Sequence, residues 1–312
     1  MCPQEEAFLH ARKLFTIRSL AWCPDGRSLA ISGFGKTVRI LDASTLGTRR
    51  VYGSHRPRMG TFCWSPDSQL VASVGGEGQV HVWQAATGNR LLCLPLHNAH
   101  TVAWSPNGTL LAAASWTGAL EVWRAHDGRH IASFHLERVT WNTAIHGCRL
   151  AWSPNGERIA WATRFDVYVW SPFTGRLERQ LRSRSFTYPY ALSWSPDGAR
   201  LAVTGMPARM GTIPCVEIWR PVEERVALTY SASNPHEDFV EVAWSPDGQR
   251  IASSGFSPAV HVWHAATGGR VAEYAGHTGL VTALGWSPDS ATIASGGRDG
   301  FVRVWRPDAV LP

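Results

Sequence analysis

Seven tryptophans recur at near-regular steps along this 312-residue chain, each followed by a Ser/Cys-Pro-Asp/Asn turn: Trp22, Trp64, Trp104, Trp152, Trp194, Trp244 and Trp286. The steps between them are 42, 40, 48, 42, 50 and 42 residues. A second anchor ends a short apolar-x-Ile/Val-Trp strand at Trp83, Trp123, Trp170, Trp219, Trp263 and Trp305, with Leu41 in its place in the first copy. Five copies separate the two anchors by 19 residues, the fourth by 18 and the fifth by 25. Self-similarity at roughly 40–45 residues, built from short strands, is the pattern of a β-propeller, one blade per copy. The expected fold is all-β, a single seven-bladed propeller of four-stranded antiparallel blades filling residues 1–312.

Within the last copy, Val281–Trp286, Thr292–Gly296 and Phe301–Trp305 read as strands, separated by a Ser-Pro-Asp-Ser turn and an Arg-Asp-Gly turn. Pro presets φ at the second turn position and Asp/Asn-Gly supplies the following bend, so the repeated Trp-Ser-Pro-Asp-Gly string is a strand terminator. A fourth strand follows in each copy except the last. The segment Ala7–Ala11 lies at the matching distance before Trp22 and is expected to supply that missing outer strand, closing the ring and removing an open edge. The middle of the third strand varies: Arg39, His81, Glu121, Tyr168, Glu217, His261 and Arg303, a position expected to meet solvent or a polar niche.

Gly276-His277, Ser295, Asp299 and Trp305 together resemble the WD40 repeat, and the resemblance extends over essentially the whole chain. It implies a hydrogen-bonded His-Ser-Asp-Trp network inside the blade. Only the last copy carries all four residues. The second has His55, Ser73 and Trp83 with Glu77 replacing Asp, and the sixth has Ser253 and Trp263 with Ser257 at the Asp position. The repeated Trp-Ser-Pro-Asp-Gly strings and Arg usage are similar to bacterial WD-repeat proteins.

Composition narrows the function classes. No run of eighteen apolar residues exists, and the opening Met1-Cys-Pro-Gln-Glu-Glu-Ala lacks the basic-then-apolar order of a signal peptide, so a soluble cytoplasmic protein without a membrane span is expected. The six cysteines lie far apart and read as free thiols. Of 30 basic residues only Lys13 and Lys36 are lysine, and guanidinium groups favour bidentate contacts with carboxylate or phosphate. No nucleophile elbow, zinc-protease motif, phosphate loop or dinucleotide fingerprint occurs. The serines at 65, 105, 153, 195, 245 and 287 recur with Asp or Asn two residues on, and such repetition indicates turns. No enzyme activity, cofactor or metal is expected; a metal-dependent hydrolase using His97, His100 and His146 is a remote alternative.

Function is sought where the copies differ. In WD-repeat proteins the loops before the first strand and between the second and third form one face, commonly the partner-binding face. Counting from the anchors places Arg18, Arg58, His100, His146, Tyr188 and Tyr190 before the first strands, and Phe34, Trp116, Arg164, Phe256 and Arg298 in the second-to-third turns. Arginine and aromatics of this kind dominate binding hot spots. The expected function is a monomeric, non-catalytic scaffold holding an acidic or phosphorylated protein or peptide around the central channel. Phe34, Trp116, Tyr190 and Phe256 would form apolar walls, and Arg18, Arg58 and Arg298 would pair with anions. The alternative is nucleic-acid binding through the same surface.

Overall fold

The computed structural model describes residues 8–53, 55–56, 60–136, 150–208, 213–232 and 239–309, with side chains from Arg12 onward. These residues form seven antiparallel sheets of four strands each. Blade 1 shows the plan, running outward from the inner strand Ile17–Trp22 through Ser28–Gly33 and Val38–Asp42 to Thr48–Tyr52. The inner and middle strands have no exposed residue, with the second strand buried throughout, and the outer strand has four exposed residues out of five. Each sheet therefore packs both faces against neighbouring blades and turns only its outermost edge to solvent.

Packing follows directly from that plan. Seven apolar clusters occupy the seven blade junctions; one joins Val74, Val80 and Val82 of blade 2 to Val102 and Leu111 of blade 3, and another joins Ile17 and Leu29 of blade 1 to Ala294 and Val302 of blade 7. The inner-strand tryptophans fasten the same junctions. Trp22 Nε1 donates to Gly285 O (3.1 Å), Trp64 to Ala21 O (3.3 Å), Trp152 to Ala103 O (3.1 Å), Trp194 to Ala151 O (3.2 Å) and Trp286 to Ala243 O (3.1 Å). In every case the acceptor immediately precedes the neighbouring blade's own anchor tryptophan. Trp104 and Trp244 Nε1 make no such bond. There the residue at the acceptor position is Cys63 or Ser193 rather than Ala or Gly, and the Ser193 hydroxyl instead accepts from the Trp244 backbone N–H at 3.1 Å.

Phe8–Lys13 pairs antiparallel with Phe301–Trp305 and completes the last blade, as the missing outer strand required. Backbone pairing is supplemented by Arg12 Nη1 to Leu46 O (2.6 Å) and Leu14 N–H to Gly300 O (2.7 Å). The repeated Ser-Pro-Asp/Asn turns are self-contained: each serine hydroxyl meets the carboxylate or amide oxygen two residues on and accepts the backbone N–H five residues on, as at Ser105 (2.7 and 2.9 Å). All six of these serines are buried, so the repetition reflects turn chemistry. The turn's last residue is left-handed, a conformation glycine adopts freely at Gly108 (φ 73°) and serine takes at Ser68 (φ 66°).

Deleting residues 1–13 is expected to expose the edge of the last blade and part the junction between blades 7 and 1. A fall in Tm of roughly 10 °C or more in a thermal melt is the expected readout.

Candidate partner-binding face

The inner strands carry a local irregularity that places side chains at one end of the channel. In blades 1, 3, 5, 6 and 7 the register against the second strand slips by one residue. The extra residues include Arg18, His100, Tyr190, Val240 and Thr282, the positions counted four residues before each anchor tryptophan, and blade 5 slips a second time at Thr187. A bulge of this kind frees a residue from the ladder and re-aims its side chain.

The bulge residues meet different fates. Arg18 lies partly covered, its guanidinium 4.8 Å from the centre of the Phe34 ring. Burial, and then the charge of Arg298, lower its pKa. Arg18 and Arg298 come from the two sides of the closing junction, and among the described residues neither has a carboxylate in an ion pair. Tyr190 and His100 differ from expectation: they are 5% and 7% exposed, buried instead of facing an open pocket. His100 forms a base for Trp116, whose ring stacks on it at 3.9 Å while remaining 38% exposed. Arg58 and His146 lie outside the described residues.

The turns between second and third strands hold the exposed groups. Phe34 is 56% exposed and Arg298 is also exposed, whereas Phe256 and Tyr188 are half-buried. Counting from the anchors had put Arg164 at the equivalent place in blade 4, but the exposed ring there is the adjacent Phe165, which packs at 5.6 Å against Tyr188 with Arg164 over both rings. In blade 5, where the long loop defeats alignment, Met206 and Ile213 are exposed. Large apolar groups in turns flanking a variable-length loop were the available signal; the one-residue contraction before Trp170 hid Phe165. The opposite end differs: inner strands and Pro24, Pro66 and Pro106 bound a cavity of about 500 Å³ along blades 1 to 4.

The third-strand variable position faces a buried niche in several blades. His81, Glu217 and His261 are each 2% exposed. In blade 7, His277 Nε2 lies 2.8 Å from Ser295 Oγ, Trp305 Nε1 donates to the same hydroxyl at 3.2 Å, and His277 Nδ1 lies 2.9 Å from Asp299. Arg303 adds a 2.8 Å ion pair to Asp299. Blade 2 repeats the first part, with His55 Nε2 2.7 Å and Trp83 Nε1 2.9 Å from Ser73 Oγ, and joins His55 to Glu77. Blade 5 uses another solution, Trp219 Nε1 donating to Glu217 at 2.9 Å.

Of the histidines named for a metal-dependent hydrolase, His146 lies outside the described residues. His97 is exposed while His100 is buried under Trp116, and among the described residues these two belong to no metal-ligand cluster. The four described cysteines are free, and burial raises the thiols of Cys23 and Cys215 to about 11, where they are inert at neutral pH.

Burial lowers the pKa of His277 from 6.5 to about 4, with Asp299 raising it and Arg303 lowering it in smaller measure. The unfolded chain takes up this proton at a higher pH than the folded one. The stability linked to it is complete above pH 6.5 and is lost as the pH falls from 6.5 to 4. Urea unfolding at about pH 7.5 and about pH 4.5 should register a loss of roughly 2–3 kcal/mol from this group. His277→Gln, which does not titrate, should lack that part of the pH dependence.

The sequence profile of the family described as WD domain, G-beta repeat, matches residues 8–42, 48–84, 88–124, 229–264 and 268–306, more than half of the chain. WD repeat-containing protein 82 of Drosophila melanogaster is 35% identical over 78 residues, covering 24% of this chain and 25% of that protein. Protein hir1 of Schizosaccharomyces pombe is 29% identical over 222 residues, 65% of this chain and 19% of that protein. WD repeat-containing protein slp1 of the same yeast is 37% identical over 75 residues, 23% of this chain and 15% of that protein. The chain thus spans a quarter or less of the length of these relatives. No helix among the described residues is long and apolar enough to cross a membrane.

Proposed function

Because this chain belongs to the WD-repeat family, whose propellers generally serve as protein-interaction scaffolds, we propose that it is a non-catalytic scaffold. Its variable face binds an anionic peptide or loop of a partner protein. The observation that carries this reading is the union at one junction of Arg18, Arg298 and Phe34: two guanidinium groups close enough to influence each other, without a described carboxylate to neutralise them, beside a ring that is 56% exposed. Leaving like charges together costs energy in the free protein, and an incoming carboxylate or phosphate relieves it.

Apolar contact extends the site. Phe34, Trp116 and Phe165 are exposed in the turns of blades 1, 3 and 4, as are Met206 at the end of a strand and Ile213 in blade 5, and exposed large apolar groups on a rigid scaffold mark recognition surfaces. Phe256 lies half-buried in the same set of turns, and Tyr188, on the inner strand of blade 5, is half-buried beside Phe165. His100 supports from below, carrying Trp116. The polar cost of binding falls on few groups, because Arg18 is already held over Phe34.

Affinity purification from the native host tests the reading with wild type and an Arg18→Ala/Phe34→Ala/Arg298→Ala variant. Loss of a protein partner with an unchanged Tm is expected. For a partner so identified, Phe34→Ala alone should weaken binding by about 2 kcal/mol, roughly 30-fold. Partners indifferent to the triple variant, or bound nucleic acid with a steep salt dependence in their place, would overturn the assignment.

A further inference from the structure

Blades 2 and 7 are built alike around their buried histidine, but differ where a cation is required. In blade 7 the Arg303 guanidinium lies 2.8 Å from Asp299 and 3.0 Å from His277 Nδ1, neutralising the carboxylate. In blade 2 the carboxylate belongs to Glu77, and His81 occupies the place of Arg303. That substitution removes the permanent positive charge. It puts there an imidazole that is 2% exposed and whose Nε2 has no hydrogen-bond partner among the described residues, lying 3.6 Å from Glu77 Oε1.

We propose that blade 2 carries a divalent transition-metal site, formed by His55 Nδ1, the Glu77 carboxylate and His81 Nε2, with zinc as the fitting ion. One ligand atom from each of the three residues falls within 4.8 Å of the other two. Two imidazole nitrogens and one carboxylate oxygen make a recognised zinc donor set, with water completing a tetrahedron. Tyr52 Oη lies 3.1 Å from His81 Nδ1. When Nδ1–H donates to it, Nε2 presents its lone pair, the outer contact that orients a metal-binding imidazole.

Two features give the ion room. A Cβ on residue 75 would stand 2.5 Å from His55 Nδ1 and 2.6 Å from Glu77 Oε2, so Gly75 leaves space that any other residue would fill. Glu77, one methylene longer than the Asp of blade 7, stands at the partly exposed mouth. The imidazoles are stacked at 4.3 Å and 12°, whereas an ion lies in the plane of each ring it binds. Binding therefore requires the two rings to tilt out of their stack and the His55 proton to sit on Nε2, facing Ser73 Oγ. Arg90 is the nearby opposing charge felt by both histidines.

The full chain, stripped with chelator, is titrated with Zn²⁺ by calorimetry and with Co²⁺ by visible spectroscopy, alongside His81→Arg, which installs the arrangement of blade 7. Wild type should bind one ion with the intense visible bands of four-coordinate cobalt, and zinc should raise its Tm. His81→Arg should lose the bands and bind zinc at least about 100-fold more weakly. Glu77→Gln provides the same readout should His81→Arg fold poorly by circular dichroism. Wild type that takes up no zinc, or a folded variant as tight as wild type, overturns the site. The second result would direct attention to the exposed histidines His130 and His135 around Glu121.

Discussion

The architecture depends on the contact of one blade with the next. A four-stranded sheet with both faces apolar has no stable existence in water, and here each face finds cover only when a neighbour stands beside it. The seven junction clusters satisfy that requirement around a ring, which is why the strand at the start of the chain must pair with the last blade. The tryptophan indoles add direction to this non-directional packing. Each of five crosses a junction to a carbonyl beside the next anchor, so the inner strands are held at a common height. A net contribution of about 1 kcal/mol per bond is modest, but the bonds specify registry around the ring.

That registry aligns the bulges. Because the inner strands share a height, their extra residues emerge at the same end of the channel, and side chains distant in sequence become neighbours. Arg18 and Arg298 illustrate the effect, being 280 positions apart in the chain yet electrostatically coupled across the closing junction. The same geometry can bury what it gathers. Tyr190 and His100 occupy equivalent bulges but are covered, and His100 supports the exposed Trp116.

Inside the blades, one scaffold position is given different chemistry in different copies. Arg303, His81 and Glu217 stand at equivalent points of their third strands, and each is matched to what lies opposite. Arg303 meets Asp299, Glu217 receives the Trp219 indole and the Ser183 hydroxyl, and His81 lies beside Glu77 and Tyr52. Turn serines show the opposite behaviour, keeping one arrangement in six copies because a tight turn admits little variation.

The period of the tryptophans, the proline turns and the alternation of apolar residues were sufficient to read the fold from sequence, because those features act within a few residues and repeat seven times. The location of the closing strand was legible for the same reason: one copy lacked an outer strand and one segment was left over. Side-chain exposure at the channel mouth was not. Arg18, His100 and Tyr190 have equivalent sequence positions, and only the approach of adjacent blades decides that the first stays partly open while the others are covered. Phe165 was displaced from its expected place by a single missing residue. The buried setting of His81 likewise arises from Tyr52, His55 and Glu77, brought together by strand pairing and turns across three separate stretches of chain. Local patterns determined which strands form and in what order. Tertiary packing decided which polar groups meet, because burial and charge are properties of the assembled neighbours.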